Sequence, residues 1–303
     1  MTTGIANGEI VDPTVSDIIK VLDSIAPPAL AETWDNIGLQ VGDSRRTVKN
    51  VWIALDPTYQ VVNAACRQKV DLLITHHPLI FKPLQSIDFR TPVGSIIDLA
   101  VRHHLAIFTA HTNLDSAMGG INDILAGRIG LYDLKPLAEF QSGNRVRYDD
   151  NPLAAAHQGA GIGRVGFLES ALDLKSLARK IKNRLKLRYL KLSGDPALPV
   201  KKVAICSGSG SGLLADFFAS GAQVFITGDL RYHDARNVEA SNLGLIDIGH
   251  FASEQLIVDV LAEKLAGLMA ESKMNPVIKA CDIEKDPFTI LGENNDCCHK
   301  RTD

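Results

Sequence analysis

Residues 74–81 read ITHHPLIF, so His76 and His77 stand side by side directly after the apolar run Leu72-Leu73-Ile74. Successive side chains of a strand point to opposite faces, and two strand neighbours therefore cannot serve one site. Just past the strand's carboxyl end that alternation no longer holds, and a loop can turn both rings the same way. Two further apolar runs end in the same manner. His111 and Asp115 follow residues 106–110, and His250 and Glu254 follow residues 245–248. If 251–254 opens a helix, the spacing of four places His250 and Glu254 on one face. In open parallel sheets, ligands gather beyond the carboxyl ends of strands. One histidine in such a place is more often a hydrogen-bonded structural residue than a ligand; three strand ends delivering imidazoles and carboxylates together favour a metal site. That donor set suits Zn, Mn, Fe, Co or Ni, and the lack of cysteine near these ends argues against a thiolate-rich structural zinc site.

The elements that must position these residues are legible as short β-branched runs alternating with amphipathic stretches. Thr14 and Asp17 resemble a capping pair opening a helix through about Ser24. Strands are expected at 51–54, 72–75, 106–110, 203–206, 224–227 and 245–248. Helices are expected at 59–68, 94–103, 213–220 and 235–241, an alternation that points to parallel α/β layers. Residues 48–75 shifted by 152 fall on 200–227, laying VKNVWIAL over VKKVAICS and DLLIT over QVFIT without a gap. A shift of 139 lays IFTAHTNLD (107–115) on IDIGHFASE (246–254), matching His111 to His250 and Asp115 to Glu254. Two matches in one order, ending on the same His-x-x-x-acid, mark an internal duplication. The expected architecture is two related α/β lobes with mainly parallel sheets, at 10–135 and 161–275, with the metal site between them. A connector occupies 136–160, residues 164–192 form a β-α-β piece opening the second lobe, and 276–303 is a polar, loosely attached tail.

The remaining features narrow the class. A net charge of −3 gives no electrostatic case for nucleic-acid binding. Five scattered cysteines (Cys66, Cys206, Cys281, Cys297, Cys298) without CxxC spacing fit a reducing compartment. No signal peptide is visible in MTTGIANGEIVDPT, and no run of about 20 apolar residues could span a membrane. A cytoplasmic location is expected. Gly161, Gly163 and Gly166 satisfy the dinucleotide fingerprint formally, but they precede an expected strand where the fingerprint must follow one. CSGSGSGLL (206–214) does follow a strand and lead into a helix, and reads equally as a tight turn or as an anion seat. Cys297-Cys298-His299, without further ligands nearby, makes a poor metal site.

The motifs AETWDNIGLQVGD (31–43), ITHHPLIF, AHTNLDSAMGGINDILA (110–126), CSGSGSG, ITGDLRYHDA (226–235) and GHFASEQ (249–255) together resemble the Nif-three-like family, also known as GTP cyclohydrolase I type 2 homologues. The resemblance runs from Pro13 to about Lys264. It implies two divalent metal ions per subunit: His77 and Asp115 on one, His76 and His250 on the other, and Glu254 bridging. His111 and His233 are then proton-moving or substrate-facing, and Asp35, Asn36 and Asp229 are candidate cavity residues. Some relatives carry a domain between the lobes, for which the connector here is too short. The resemblance further implies a homohexameric ring, a trimer of dimers. The activity it implies is hydrolysis of a small molecule, a nucleotide or phosphoester among the candidates, with GTP ring opening the family's label. The alternative class is a non-enzymatic metal-handling or partner-binding protein.

Overall fold

A computed structural model of the protein describes residues 11–139 and 159–291. Cys297, Cys298 and His299, and most of the connector, lie outside the described residues. Helix α1 (Val15–Ile25) opens on the expected capping box, with Thr14 and Asp17 exchanging side-chain and backbone hydrogen bonds. Its buried stripe is Val15, Ile18, Leu22 and Ile25. The first sheet then takes β1 (Gly38–Val41), β2 (Asn50–Ala54), β3 (Leu72–Thr75) and β4 (Ala106–Thr109). Helix α2 (Tyr59–Arg67) links β2 to β3 and α3 (Pro92–Arg102) links β3 to β4. Strands β2, β3 and β4 run parallel and are apolar almost throughout, as strands covered on both faces must be. Strand β1 pairs antiparallel with β4.

Two short helices, α4 (Thr112–Ser116) and α5 (Ile121–Ile129), lead to the second sheet. It holds β5 (Leu131–Glu139), β6 (Gly161–Asp173), β7 (Lys191–Ser193), β8 (Pro199–Ser209), β9 (Val224–Gly228) and β10 (Gly244–Asp247), in spatial order β5-β6-β8-β9-β10-β7. Helix α6 (Leu174–Arg184) stands between β6 and β7, α7 (Leu214–Ser220) between β8 and β9, and α8 (Tyr232–Ala240) between β9 and β10. The parallel core β8-β9-β10 mirrors β2-β3-β4. Val51 faces Leu72 in the first sheet and Val203 faces Val224 in the second, the same register displaced by 152. After β10 come α9 (His250–Glu254), α10 (Leu256–Glu271) and β11 (Val277–Ala280). The fold is thus mixed α/β, two sheets each with a parallel core.

The ends of the chain depart from the expected partition. Strand β5 begins inside the stretch assigned to the first lobe, yet pairs with β6 in the second sheet. Conversely, β11 falls in the expected tail but pairs parallel with β2, giving the first sheet the order β1-β4-β3-β2-β11. The cause is the apolar face of α10: Ile257, Val258, Leu261, Leu265 and Met269 share one core with α1 and β2. Beyond β11 the chain stays attached, since the Cys281 amide donates to Ile53 O and Glu284 accepts from the amides of Leu55 and Asp56. Residues 164–192 do run strand, helix, strand as expected, but their two strands are not neighbours in the sheet. Strand β6 runs antiparallel to both its neighbours, and β7 lies at the far edge, antiparallel to β10. Gly161, Gly163 and Gly166 lie inside β6, which removes the dinucleotide reading.

A buried arginine ties the second sheet to α5 and to the end of α4. Arg164 on β6 is 2% exposed and donates to both carboxylate oxygens of Asp123 on α5, and to the carbonyls of Ala117, Gly161 and Gly163. All of its hydrogen-bonding edges are used, so the charge is fully compensated. Arg164→Leu leaves Asp123 and three carbonyls without their partner, and we expect it to destabilise the protein by about 3 kcal/mol in chemical denaturation. Among the described residues, no helix is long and apolar enough to cross a membrane.

Candidate metal centre

Each imidazole is placed by a strand end. The amides of His76 and His77 donate to Ala54 O and Leu55 O of the neighbouring strand, and Thr75 Oγ1 donates to His77 O. This bends the chain past β3, so that the two rings lie 5.1 Å apart between centroids and face the same cavity. His111 caps α4 at the end of β4, with its ring 5.1 Å from His76 and 5.6 Å from His77. His250 opens α9 after β10, its ring 5.3 Å from His77, and Glu254 closes that helix. The carboxyl ends of the two parallel cores thus face one another across a single cluster.

The hydrogen bonds of the four rings share a pattern. Nδ1 of His76 lies 3.0 Å from Ala110 O, that of His77 2.8 Å from Asp56, that of His111 2.9 Å from Asp35, and that of His250 2.7 Å from Asp229. A ring that donates Nδ1–H presents a lone pair at Nε2, the arrangement that metal-bound histidines adopt. Glu254 Oε2 lies 3.0 Å from Nε2 of both His77 and His250, but satisfies hydrogen-bond geometry with neither. His76 Nε2, also buried, has no hydrogen-bond partner. Nε2 lone pairs converging on a carboxylate are repulsive, so the cluster calls for positive charge between them, protons on the rings or a metal ion that displaces those protons. The residues therefore fit a divalent ion. Two sets of three could hold one, His76/His77/His111 and His77/His250/Glu254, with ligand atoms within 4.8 Å of one another in each.

The structure places His76, His77, Asp115, His250 and Glu254 in one cluster, with close approaches that differ from the pairing implied by the resemblance. The close approaches join His76 Nε2 to Asp115 Oδ1 at 3.6 Å and His77 Nε2 to His250 Nε2 at 3.3 Å. Glu254 spans the two, its Oε1 3.7 Å from His76 Nε2 and its Oε2 beside His77 and His250. His111 stands within the first set of donors. His233 is not in the cluster; it is exposed on α8, in ring contact with Tyr232. Asp35 and Asp229 orient rings, and Asn36 ties two loops by donating to Ile80 O. Burial disfavours ionisation of Asp35, but hydrogen bonds from His111 and Thr112 outweigh it and hold the carboxyl at about 2. Burial raises Asp115 above the ordinary carboxylate range. Glu254 is buried too, yet the surrounding histidines hold it well below that range.

A model of the Duf34/NIF3 family (NGG1p interacting factor 3) matches residues 13–287. The chain belongs to the Duf34/NIF3 family. It is 33% identical over 274 residues to the GTP cyclohydrolase 1 type 2 homologue of Clostridium acetobutylicum, covering 90% of this chain and 97% of that one. To the homologue of Clostridium perfringens it is 34% identical over 277 residues, covering 91% and 99%. The solved structure of a Bacillus cereus protein related to NIF3 superposes with a TM-score of 0.83 at 26% identity, covering 93% of this chain and 100% of that one. The alignment with the Bacillus subtilis homologue spans 365 positions, more than the 303 residues of this chain, so that relative carries internal segments absent here.

Local contacts account for the glycine-rich end of β8. The amide of Ser207 donates to Asn122 Oδ1 and that of Gly208 to Ser253 Oγ, so both are engaged and neither serves as an anion seat. Gly208 has φ +60°, and a Cβ there would strike Glu254 Oε1. Glycine is thus what lets the carboxylate approach the backbone. We expect Gly208→Ala to weaken metal binding roughly 10- to 100-fold by displacing Glu254, measured by chelator competition. Asp56 escaped the sequence reading although it lies just past strand β2, because no histidine stands beside it in the chain to mark that strand end. The repeat held a further signal. His76-His77 correspond to Gly228-Asp229, and Asp229 is the group that holds His250.

Proposed function

We propose that this NIF3 protein is a hydrolase working with two divalent ions, held by His76, His77, Asp115, His250 and Glu254. One ion would take His76 and Asp115, the other His77 and His250, with one oxygen of Glu254 turned to each. The observation that carries this reading is the convergence of Nε2 atoms on Glu254 with no aligned proton between them. When bound, a pair of such ions makes water nucleophilic near neutral pH and polarises an electrophilic carbon or phosphorus centre. The chain's own groups do the rest. Asp56, Asp229 and the Ala110 carbonyl fix the tautomer and orientation of their rings, and His111, locked by Asp35, offers its Nε2 to carry a proton to or from the reacting group. The Cys206 thiol is pushed up by burial and takes no nucleophilic part.

The curated relatives are named for GTP cyclohydrolase 1 type 2, which supports a nucleotide substrate within this proposal. Nucleotides and phosphoesters screened against metal-loaded protein test it. Turnover of at least one, lost on metal removal and restored on reloading, is the expected result; a panel wholly without turnover counts against it. A second reading, metal delivery to a client protein, is favoured by the partial exposure of His250 (35% of its side chain), which opens one ligand to solvent. Transfer of metal to an acceptor without turnover is its mark. The hexameric ring belongs to the same proposal, with a solution mass of six chains as its test.

A further inference from the structure

Aromatic rings continue outward from the metal cluster. Trp34 packs edge-on against His111 at 6.2 Å and against Phe81 at 5.8 Å. Trp34 is 57% exposed and Phe81 50%. They are not loosely held. Asp35, the next residue after Trp34, is fixed by His111 and by the amide and hydroxyl of Thr112. The loop carrying Phe81 is pinned to the Trp34 loop through Asn36 and Gln40, which bond the carbonyl and amide of Ile80. Trp34 also lines a cavity of about 470 Å³, whose other walls include Ile162, Leu213, Cys206 and Ser209. That volume suits a small ligand. The cavity is joined to the cluster through Trp34, which lines it and packs on His111.

We propose that Trp34, with Phe81 beside it, is the stacking platform for a planar heterocyclic base, so that the substrate is a nucleotide whose hydrolysable group reaches the cluster. The assignment rests on the hydrolase reading above and on its nucleotide substrate, and it names the residue that would hold the base. A rigid indole that is bare on one side and fixed to a metal-site histidine on the other gives a flat ring contact area without further ordering cost. Every base offers a π-face, so such a platform tolerates sequence and selects for the ring itself.

The chain supplies its own reporter, because Trp34 is one of two tryptophans and the other, Trp52, is 8% exposed in a separate core. Metal-loaded protein titrated with GMP should show saturable quenching of tryptophan fluorescence, and ribose 5-phosphate should neither quench nor compete at the same concentrations. Equilibrium dialysis of GMP against Trp34→Leu should give binding weakened roughly ten- to hundredfold, with Trp34→Phe within about threefold of wild type. Both substitutions are at the surface, and circular dichroism confirms that the variants are folded. GMP bound equally by Trp34→Leu, ribose 5-phosphate bound as tightly as GMP, or no binding of GMP would overturn the proposal. So would Trp34 fluorescence that follows protein concentration rather than GMP, which would place a second copy of the chain on the platform. The two readings fail separately. GMP binding through Trp34 without any turnover would sink the hydrolase reading alone, and nucleotide turnover indifferent to Trp34→Leu would sink this one alone.

Discussion

Glu254→Ala is expected to strip the protein of both ions and to reduce any turnover by on the order of 10³-fold or more, since the lost cations supply several kcal/mol of charge stabilisation. Of the two carboxylates in the proposed ligand set, Glu254 is the one turned to both pairs, with Oε1 toward His76 and Oε2 toward His77 and His250. Every other proposed ligand serves one half. Replacement of Asp115 should therefore lower the metal content toward one equivalent, and replacement of Glu254 should lower it toward none. Elemental analysis of both variants, purified with added metal, separates the cases. Equal metal loss from the two would refute the assignment of Glu254 as the shared ligand. Stability should respond in the same order, because bound metal stabilises the folded state by mass action.

How much of this could be read from residues alone differs between fold and site. The strands at 51–54, 72–75 and 106–110 were legible because both faces of a parallel core are buried, and this writes an unbroken apolar run into the sequence. Strand β11 was not legible. Val277–Ala280 alternates between exposed and half-buried, and only the docking of α10 on the first sheet brings it to β2. Strand β5 failed likewise, as a mostly exposed edge whose partner lies across the connector. In the site, the histidines announced themselves by standing at strand ends, and the repeat tied His111 to His250 and Asp115 to Glu254. The pairing across the cluster was beyond reach, because it depends on how two sheets face each other and no spacing within either records that. His233 shows the opposite error, a histidine in a matching motif whose ring the helix α8 turns to solvent.

Metal loading at pH 7 is expected to release close to two protons per chain. Without metal, burial disfavours the charged form of His77, but its hydrogen bond to Asp56 and the Glu254 carboxylate 3.0 Å away outweigh it and raise its pKa to about 10. Glu254, against the opposing effect of burial, raises His250 to about 9. Both rings thus carry a proton at neutral pH, and a cation must displace it from the atom it binds. Each displaced proton contributes about one decade of apparent affinity per pH unit, so affinity should climb roughly a hundredfold per unit from about pH 7 and level off near pH 9 to 10. A pH indicator in weak buffer counts the protons, and chelator competition follows the affinity. The same groups set opposite trends in thermal stability. In metal-free protein their contribution is fully present below the ordinary histidine value of 6.5 and is lost as pH rises through about 9 to 10, so the melting temperature should fall over that interval. Metal-loaded protein should gain stability from pH 7 toward pH 9, as binding tightens. Parallel melting curves for the two forms, with no protons released on loading, would mean that His77 and His250 are not the ligands.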